Sequence, residues 1–171
     1  MDFKAKLRHV ENFPKEGIDF IDITTVLQDA QAFKECLEAM KEKILAFGEV
    51  DLIVGPESRG FVFGTPLAYA LNKGFIPIRK KGKLPYKTIK AEYALEYGTD
   101  VLEMHEDAIK PGQKVVIVDD LLATGGTTGA NIQLIEKLGG EVAGIVYFIE
   151  LTFLNGREKL TKYKVESIVQ F

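Results

Sequence analysis

Four short apolar runs recur along the chain, and each is long enough to form a buried β-strand. They are DLIV, FIPIR, VVIV and VAGIVYFI, at residues 51–54, 75–79, 115–118 and 142–149. Runs dominated by apolar residues are typical of strands covered on both faces, as in a parallel sheet. Pro77 in the second run cannot donate to a sheet ladder, so we expect an edge or irregular position for that strand.

Stretches with a helical period separate these strands. Residues 30–46 begin after Asp29, a candidate cap, and share one apolar face made of Phe33, Cys36, Leu37, Met40 and Ile44. Further helices are expected at residues 2–10, 60–72 and 126–138, and the polar segment 80–104 is expected to form a flap or hairpin. This alternation predicts an α/β fold with a mostly parallel, twisted sheet flanked by helices, in one domain spanning residues 1–171.

Composition narrows the class of protein. The net charge of −3 gives no general attraction to nucleic acid or anionic membranes, and no apolar run approaches the ~18 residues typical of a membrane span. The lone Cys36 cannot form an internal disulfide, and its apolar helix face favours an inert buried thiol. His9 and His105 lack ligand-spaced partners, so no zinc site is expected. We expect a cytoplasmic protein with no nucleic-acid or membrane partner.

The segment ATGGT, residues 123–127, combines features of a phosphate-binding turn between a strand and a helix. Gly125 and Gly126 permit positive φ and close backbone approach to a ligand. The first N–H groups of the following helix attract anions, and the hydroxyls of Thr124, Thr127 and Thr128 add donors. An ordinary strand-to-helix turn needs similar residues. The turn considered alone therefore fits either a phosphate-binding site or an ordinary connection. The P-loop and G-x-G-x-x-G patterns are absent, which argues against ordinary ATPase and NAD-binding sites.

Two adjacent acids, Asp119 and Asp120, close the strand before this turn. Carboxylates accept hydrogen bonds from sugar hydroxyls and hold Mg²⁺, often through its waters. A ligand with a ribose between phosphates would satisfy the acids and the turn together, whereas the simpler alternative is that one Asp caps the turn. Ligands of such sheets bind at the carboxyl ends of the strands, so GPESRG at residues 55–60 is expected beside residues 119–128.

VVIVDDLLATGGT resembles the 5-phosphoribosyl-1-pyrophosphate (PRPP) motif of type I phosphoribosyltransferases, and its DDLLATGGT form is typical of those specific for adenine. Similar segments span nearly the whole chain: ENFPKEGIDFIDIT, VGPESRGFVFG, RKKGKLP, LEYG and LTFLNGREKL. The resemblance implies a purine-salvage pentosyltransferase that converts adenine and PRPP to AMP and pyrophosphate. It also implies a small N-terminal hood and a flexible flap on the sheet domain.

The resemblance assigns roles to individual residues. PRPP and AMP would contact Asp119, Asp120, Ala123, Thr124, Gly125, Gly126 and Thr127, with Mg²⁺ held through PRPP and waters near the two acids. Pyrophosphate would contact Glu57, Ser58, Arg59, Arg79, Lys80 and Lys83, with a cis peptide between Glu57 and Ser58. The basic loop, RKKGKLPYK at residues 79–87, is expected to act partly across the interface of a homodimer.

Adenine chemistry is assigned to two further segments. Glu96, beside Tyr97 of the flap, would exchange a proton with the purine, and Arg59 would assist catalysis. From the residues alone, a solvent-facing hairpin Glu is the preferred interpretation of Glu96. Adenine would be covered by Asp19, Phe20 and Ile21, and Ile21 stands where a known form carries Arg, so only a main-chain contact would persist there.

Two other functions remain open. A 6-oxopurine phosphoribosyltransferase would share the PRPP site, but the Lys or Asp usual in its base-reading segment has no aligned counterpart here. A non-catalytic PRPP-sensing regulator would keep the fold without turnover. A DNA-binding regulator would need an added basic helix-turn-helix, for which the 171 residues leave no room, whereas only turnover excludes an RNA-binding one.

Overall fold

The computed structural model of the chain describes residues 1–95 and 97–171, so Glu96 lies outside the described residues. The chain divides into two compact units, Met1–Ala39 and Met40–Phe171. The expectation of one domain over residues 1–171 therefore stays a prediction, and each unit is described by itself.

The first unit carries a small hairpin where the sequence predicted helix. Its elements are α1 (Phe3–Lys6), β1 (Arg8–Glu11), β2 (Asp19–Asp22), α2 (Thr24–Leu27) and the start of α3 (Ala30–Ala46). The helix predicted over residues 2–10 is wrong beyond residue 6, because the backbone turns extended at Leu7 and β1 pairs antiparallel with β2. Pairing between residues eight to fourteen apart in sequence thus overrides the local periodicity.

Helix α3 has the extent predicted for it. Asp29 Oδ1 accepts hydrogen bonds from the backbone N–H groups of Gln31 and Ala32, both at 3.0 Å, which confirms the predicted cap. Cys36 is fully buried on the apolar face of α3, and burial raises the pKa of its thiol to about 12. The thiol therefore stays protonated and unreactive, as predicted.

The second unit is built on a seven-stranded sheet in the order β5-β6-β4-β3-β7-β8-β9. Pairing is parallel from β4 through β9 and antiparallel where β6 joins β4 and β5, which confirms the mostly parallel sheet. The elements are β3 (Leu52–Pro56), α4 (Arg59–Leu71), β4 (Gly74–Lys80), β5 (Thr88–Leu95), β6 (Gly98–His105), β7 (Lys114–Leu122), α5 (Gly126–Lys137), β8 (Glu141–Glu150), 3₁₀ helices at Thr152–Leu154 and Gly156–Leu160, and β9 (Val165–Gln170).

Helices cover both faces of this sheet. Tyr147 and Phe148 are neighbours on β8, so their side chains point to opposite faces. The Tyr147 hydroxyl hydrogen-bonds Thr128 of α5, whereas the Phe148 ring lies 5.5 Å from the ring of Phe63 of α4. Helices α4 and α5 therefore lie on opposite sides, which explains why β7 is apolar and fully buried over residues 115–118.

Of the two positions predicted for Pro77, the edge strand is wrong, whereas the irregular position is confirmed. Strand β4 lies inside the sheet, between β6 and β3. Pro77 is tolerated because β6 joins β4 at Arg79 and Lys80, beyond the proline, while Pro77 stands opposite Gly55 of β3. The segment predicted as a flap or hairpin contains the β5–β6 hairpin, paired from Thr88 and His105 to Leu95 and Gly98.

Strand β9 was not predicted, because its sequence VESIVQ has no continuous apolar run. It pairs in parallel with β8 from Ile145 and Val165 onward. Within residues 1–95 and 97–171, none of the helices combines the length and the apolar character that crossing a membrane requires.

Candidate functional site

A cavity of about 650 Å³ opens where β3, β4 and β7 end. Strands β3 and β7 are parallel neighbours, so the segments that follow them leave the sheet at the same edge. The described lining consists of residues 56–59 after β3, Lys80 at the end of β4 and residues 119–128 from β7 into α5. The structure thus brings together the two motifs that the sequence predicted to meet.

The turn at residues 123–127 leads directly into α5. Gly125 caps the helix with φ of 85°, a backbone conformation that glycine adopts without a Cβ penalty. The first α-helical bond runs from the Gly129 N–H to the Gly125 carbonyl, at 3.0 Å. The N–H groups of residues 126–128 therefore remain available at the cavity, where the helix N-terminus attracts anions.

The two acids before the turn occupy different electrostatic environments. Asp120 is 6% exposed, and its Oδ2 lies 2.8 Å from Arg59 Nε. Asp119 Oδ1 accepts a hydrogen bond from the Asp120 N–H at 2.8 Å. Burial, reinforced by the neighbouring Asp120 carboxylate, raises the pKa of Asp119 well above its usual range. Ionised Asp119 is therefore costly unless a cation or a hydroxyl donor joins it.

Gly60 lets α4 approach these acids closely. A Cβ on Gly60 would lie 2.8 Å from Pro56 Cδ and 3.2 Å from Asp119 Oδ1. The last residue of GPESRG thus contributes through its lack of a side chain, a function that the sequence analysis missed. The signal was a second glycine five residues after Gly55 in that motif.

The acid pair fits the Mg²⁺ that PRPP chemistry implies. Mg²⁺ usually binds through one or two carboxylates, substrate phosphates and several retained waters. Asp119 and Asp120 supply two adjacent carboxylates beside the cavity, and in the described part of the chain no cluster of three or more acidic, His or Cys side chains forms a dedicated metal cage. The donor set therefore matches an ion that arrives with a phosphate ligand.

Glu57 lines the cavity, and its carboxylate also anchors the basic loop. Its carboxylate accepts hydrogen bonds from the Lys80 backbone N–H at 2.7 Å and from Lys83 Nζ at 2.8 Å, and Arg79 Nε lies 3.4 Å away. Burial acts to raise the Glu57 pKa, but these bonds and the nearby cations outweigh it and hold the pKa below its usual range. The peptide between Glu57 and Ser58 is cis, as the resemblance implies.

The cations predicted to bind pyrophosphate separate into two groups. Lys80 lines the cavity, and its Nζ lies 3.6 Å from Asp100 Oδ2 of β6, which also accepts from the Tyr93 hydroxyl at 3.2 Å. Arg79 and Lys83 are instead paired with Glu57. The sequence analysis missed Asp100 and Tyr93, because neither belongs to a recognisable motif.

The residues predicted to cover adenine lie in β2 of the first unit, not in a loop. Asp19 Oδ2 is 2.7 Å from His9 Nδ1, and the Phe20 ring packs edge-on against Phe13 at 5.2 Å. Ile21 stands opposite His9 in the hairpin. Their role toward adenine stays a prediction.

The flap residues belong to the β5–β6 hairpin. Tyr97 lies in its turn and is 89% exposed. Glu96, the predicted proton-exchanging residue, lies outside the described residues. His105 at the end of β6 accepts a hydrogen bond from the Tyr86 N–H at 3.3 Å and contacts the Tyr86 ring, as expected for a packing rather than a catalytic histidine.

Comparison with known proteins decides the family. The model of the phosphoribosyl transferase domain matches residues 22–170. The chain belongs to the phosphoribosyl transferase family. An adenine phosphoribosyltransferase of Acetivibrio thermocellus is 76% identical to this member of the family over 171 residues, covering all of both chains.

Solved structures agree with this assignment of the phosphoribosyl transferase fold. The crystal structure of adenine phosphoribosyltransferase from Thermoanaerobacter pseudethanolicus gives a TM-score of 0.94 at 55% identity, covering 98% of this chain and 97% of that chain. The Saccharomyces cerevisiae enzyme, complexed with an imino-altritol bisphosphate and adenine, gives 0.92 at 42% identity, covering 96% and 95%. The predicted mostly parallel sheet flanked by helices is confirmed, whereas the hood and the flexible flap stay predictions.

Proposed function

We propose that this chain is an adenine phosphoribosyltransferase, which transfers the 5-phosphoribosyl group of PRPP to adenine and releases AMP and pyrophosphate. The observation that carries the proposal is the cavity that joins the acid pair, Asp119 and Asp120, to the N-terminus of α5. Relatives as much as 76% identical over their full length are adenine phosphoribosyltransferases, which supports adenine over a 6-oxopurine or a non-catalytic sensor.

The cavity offers a separate environment for each part of PRPP. The N–H groups at the start of α5 and the hydroxyls of Thr124 and Thr127 bind the 5-phosphate, because they combine donors with the positive end of the helix dipole. Asp119 and Asp120 accept hydrogen bonds from the ribose hydroxyls. The ribose between them keeps the phosphate away from the carboxylates, which reconciles two groups that would otherwise repel.

The reaction then displaces pyrophosphate at the anomeric carbon. The bond from that carbon to pyrophosphate breaks as its bond to the adenine ring nitrogen forms, and adenine passes one proton to Glu96. Arg59 and Lys80 line the cavity and place positive charge where the pyrophosphate departs. Asp119 and Asp120 would hold Mg²⁺ through its waters, and the ion would supply further positive charge to the phosphates when bound with PRPP.

The activity test compares four bases. The purified chain is incubated with PRPP, Mg²⁺ and either adenine, hypoxanthine, guanine or xanthine, and nucleotide formation is followed. We expect AMP from adenine and no comparable product from the other bases. Preference for an oxopurine would leave the PRPP site but overturn adenine specificity, and PRPP binding without turnover of any base would favour the sensor.

Binding variants test the site itself. Asp119→Asn combined with Asp120→Asn is expected to weaken PRPP binding, because both hydroxyl acceptors lose their charge. The matched control is Glu106→Gln with Asp107→Asn, which removes two adjacent charges from an exposed turn after β6. Calorimetric titration with PRPP and Mg²⁺ should show weaker binding for the first pair alone, and equal affinity in both pairs would refute the site.

Glu96→Gln tests the proposed proton exchange. A glutamine keeps the shape of the side chain but cannot accept the proton, so kcat should fall by roughly 10²-fold or more while PRPP affinity is retained. Exposed Glu92→Gln on the neighbouring strand is the control. An unchanged kcat in the Glu96 variant would remove Glu96 from the mechanism.

A further inference from the structure

The phosphate turn rests against a second piece of backbone, at Gly156. A Cβ placed on Gly156 would lie 2.5 Å from the Ala123 carbonyl oxygen and 2.9 Å from Leu122 Cδ1. In the reverse direction, a Cβ placed on Gly125 would lie 3.0 Å from the Gly156 carbonyl oxygen. The turn therefore has a backbone wall behind it, and only glycine at position 156 permits this approach.

Arg157, the residue after Gly156, is held in place by an ion pair with Glu150. Arg157 Nε and Nη2 donate to the two carboxylate oxygens of Glu150 at 2.7 and 2.9 Å, and Arg157 Nη1 donates to the Val165 carbonyl at 2.6 Å. Three donors of one planar guanidinium are thus engaged, which fixes the position and orientation of the arginine.

Glu150 is itself held from several sides. It is 4% exposed, and its Oε2 also accepts from the Ser167 hydroxyl at 2.6 Å and from Gln170 Nε2 at 3.3 Å. Burial acts to raise its pKa, but the bonds from Arg157 and Ser167 outweigh it and keep the pKa below its usual range. The carboxylate is therefore a fixed anionic anchor at the end of β8.

Glu150 is also connected to the phosphate turn through the pairing of β8 with β7. Glu150 stands opposite Leu122 in the pairing of β8 with β7, and the Leu151 N–H donates to the Leu122 carbonyl at 3.0 Å. Leu122 is the last residue of β7, directly before the turn. Glu150 thus constrains Leu122 through the sheet and Gly156 through Arg157.

We propose that the Glu150–Arg157 pair is a positioning device that holds the phosphate turn, through Gly156, in the geometry that binds the 5-phosphate of PRPP. The inference rests on the proposed function, since it assigns the turn to that phosphate. Neither residue is among the described residues that line the cavity, so both act through the turn and not on the substrate.

Two substitutions disturb this device at different points. Arg157→Lys keeps the charge but loses the planar fork, and Gly156→Ala pushes a methyl group against the Ala123 carbonyl. Because donors misplaced by about 1 Å lose much of their effect, we expect each variant to raise the dissociation constant for PRPP roughly tenfold or more. The KM for adenine should change much less. A general loss of stability would not produce this selective effect on PRPP binding.

The matched control is Gly140→Ala. Its Cβ would lie 2.9 Å from the side chains of Ile109 and Ile135, a similar crowding, but Gly140 precedes β8 at the opposite end of that strand. We expect this variant to melt at a lower temperature with unchanged PRPP affinity. If Arg157→Lys does not fold, Ser167→Ala, which removes one donor to Glu150, should still weaken PRPP binding in the same direction.

Calorimetric titration with PRPP and Mg²⁺, without adenine, gives the decisive comparison. The device is refuted if Gly156→Ala and the folded Glu150-network variant bind PRPP as tightly as the unaltered chain while the double variant of Asp119 and Asp120 binds it weakly. If the double variant also keeps full affinity, the proposed PRPP site itself is wrong. Weakened binding in the turn and network variants, with the Gly140 control unaffected, supports the proposal.

Discussion

At the scale of single residues, three carboxylates near the cavity differ because their neighbours differ. Glu57 is surrounded by cations of the basic loop, and Asp120 is paired with Arg59. Asp119 is desolvated beside the Asp120 carboxylate. Residue type predicted the acid pair correctly, but it gave no indication that the Glu57 carboxylate would pair with the basic loop.

Because the pKa of Asp119 is raised, this residue destabilises the folded, unliganded protein at pH values where it ionises. An Asp in an unfolded chain has a pKa of about 3.9. The Asp119 carboxyl therefore keeps its proton to higher pH in the folded state than in the unfolded state. Stability is therefore lost as pH rises from about 4 through the folded-state pKa. Asp119→Asn, which cannot ionise, should melt at a higher temperature than the unaltered chain at pH 7.

Calorimetric melting between pH 4 and 7, without Mg²⁺ or PRPP, measures this effect. The advantage of Asp119→Asn should shrink toward pH 4, where the native Asp119 is also neutral. Asp107→Asn, on an exposed turn, serves as the control for removing one negative charge. A melting temperature at pH 7 equal to or below that of the unaltered chain would contradict the expectation.

At the scale of elements, α5 is held in place by contacts beyond its apolar face. Its first turn carries Thr128, whose hydroxyl bonds the buried Tyr147 hydroxyl of β8, and its last residue, Lys137, bonds the Lys90 carbonyl of β5. These contacts fix the helix whose N-terminus forms the anion site. The periodicity of residues 126–138 predicted the extent of α5. It gave no indication of the residues that bond the two ends of the helix, which lie on β8 and β5.

Tyr147→Phe isolates one of these contacts. The ring stays buried but the Thr128 hydroxyl, which is 4% exposed, loses its partner. A buried polar group left unsatisfied costs about 1–3 kcal/mol, so the free energy of unfolding should fall by an amount in that range. Urea denaturation measures the change, and Tyr69→Phe, at a position 90% exposed, should change nothing. Equal stabilities for the two variants would show that the bond contributes little.

At the scale of the whole molecule, the resemblance predicts a homodimer in which the basic loop acts partly across the interface. Light scattering under assay conditions should then give about 38 kDa, twice the 19.0 kDa of one chain. The measurement is best made over a dilution series together with activity. A mass of one chain with full activity would refute the prediction.

The amino-acid sequence alone was enough to predict the α/β class, the extents of α3 and α5, and the meeting of GPESRG with DDLLATGGT at one sheet edge. The class and the helix extents follow from local periodicity and caps, and the meeting follows from the rule that the carboxyl ends of parallel strands share one sheet edge. Only the tertiary structure decided that β1 replaces a helix, that Pro77 lies inside the sheet and that β9 extends it. It alone decided that Glu57 pairs with the basic loop and that Gly156 supports the phosphate turn. The physical reason is that strand pairing, burial and charge pairing depend on residues far apart in sequence, whose proximity no local pattern records.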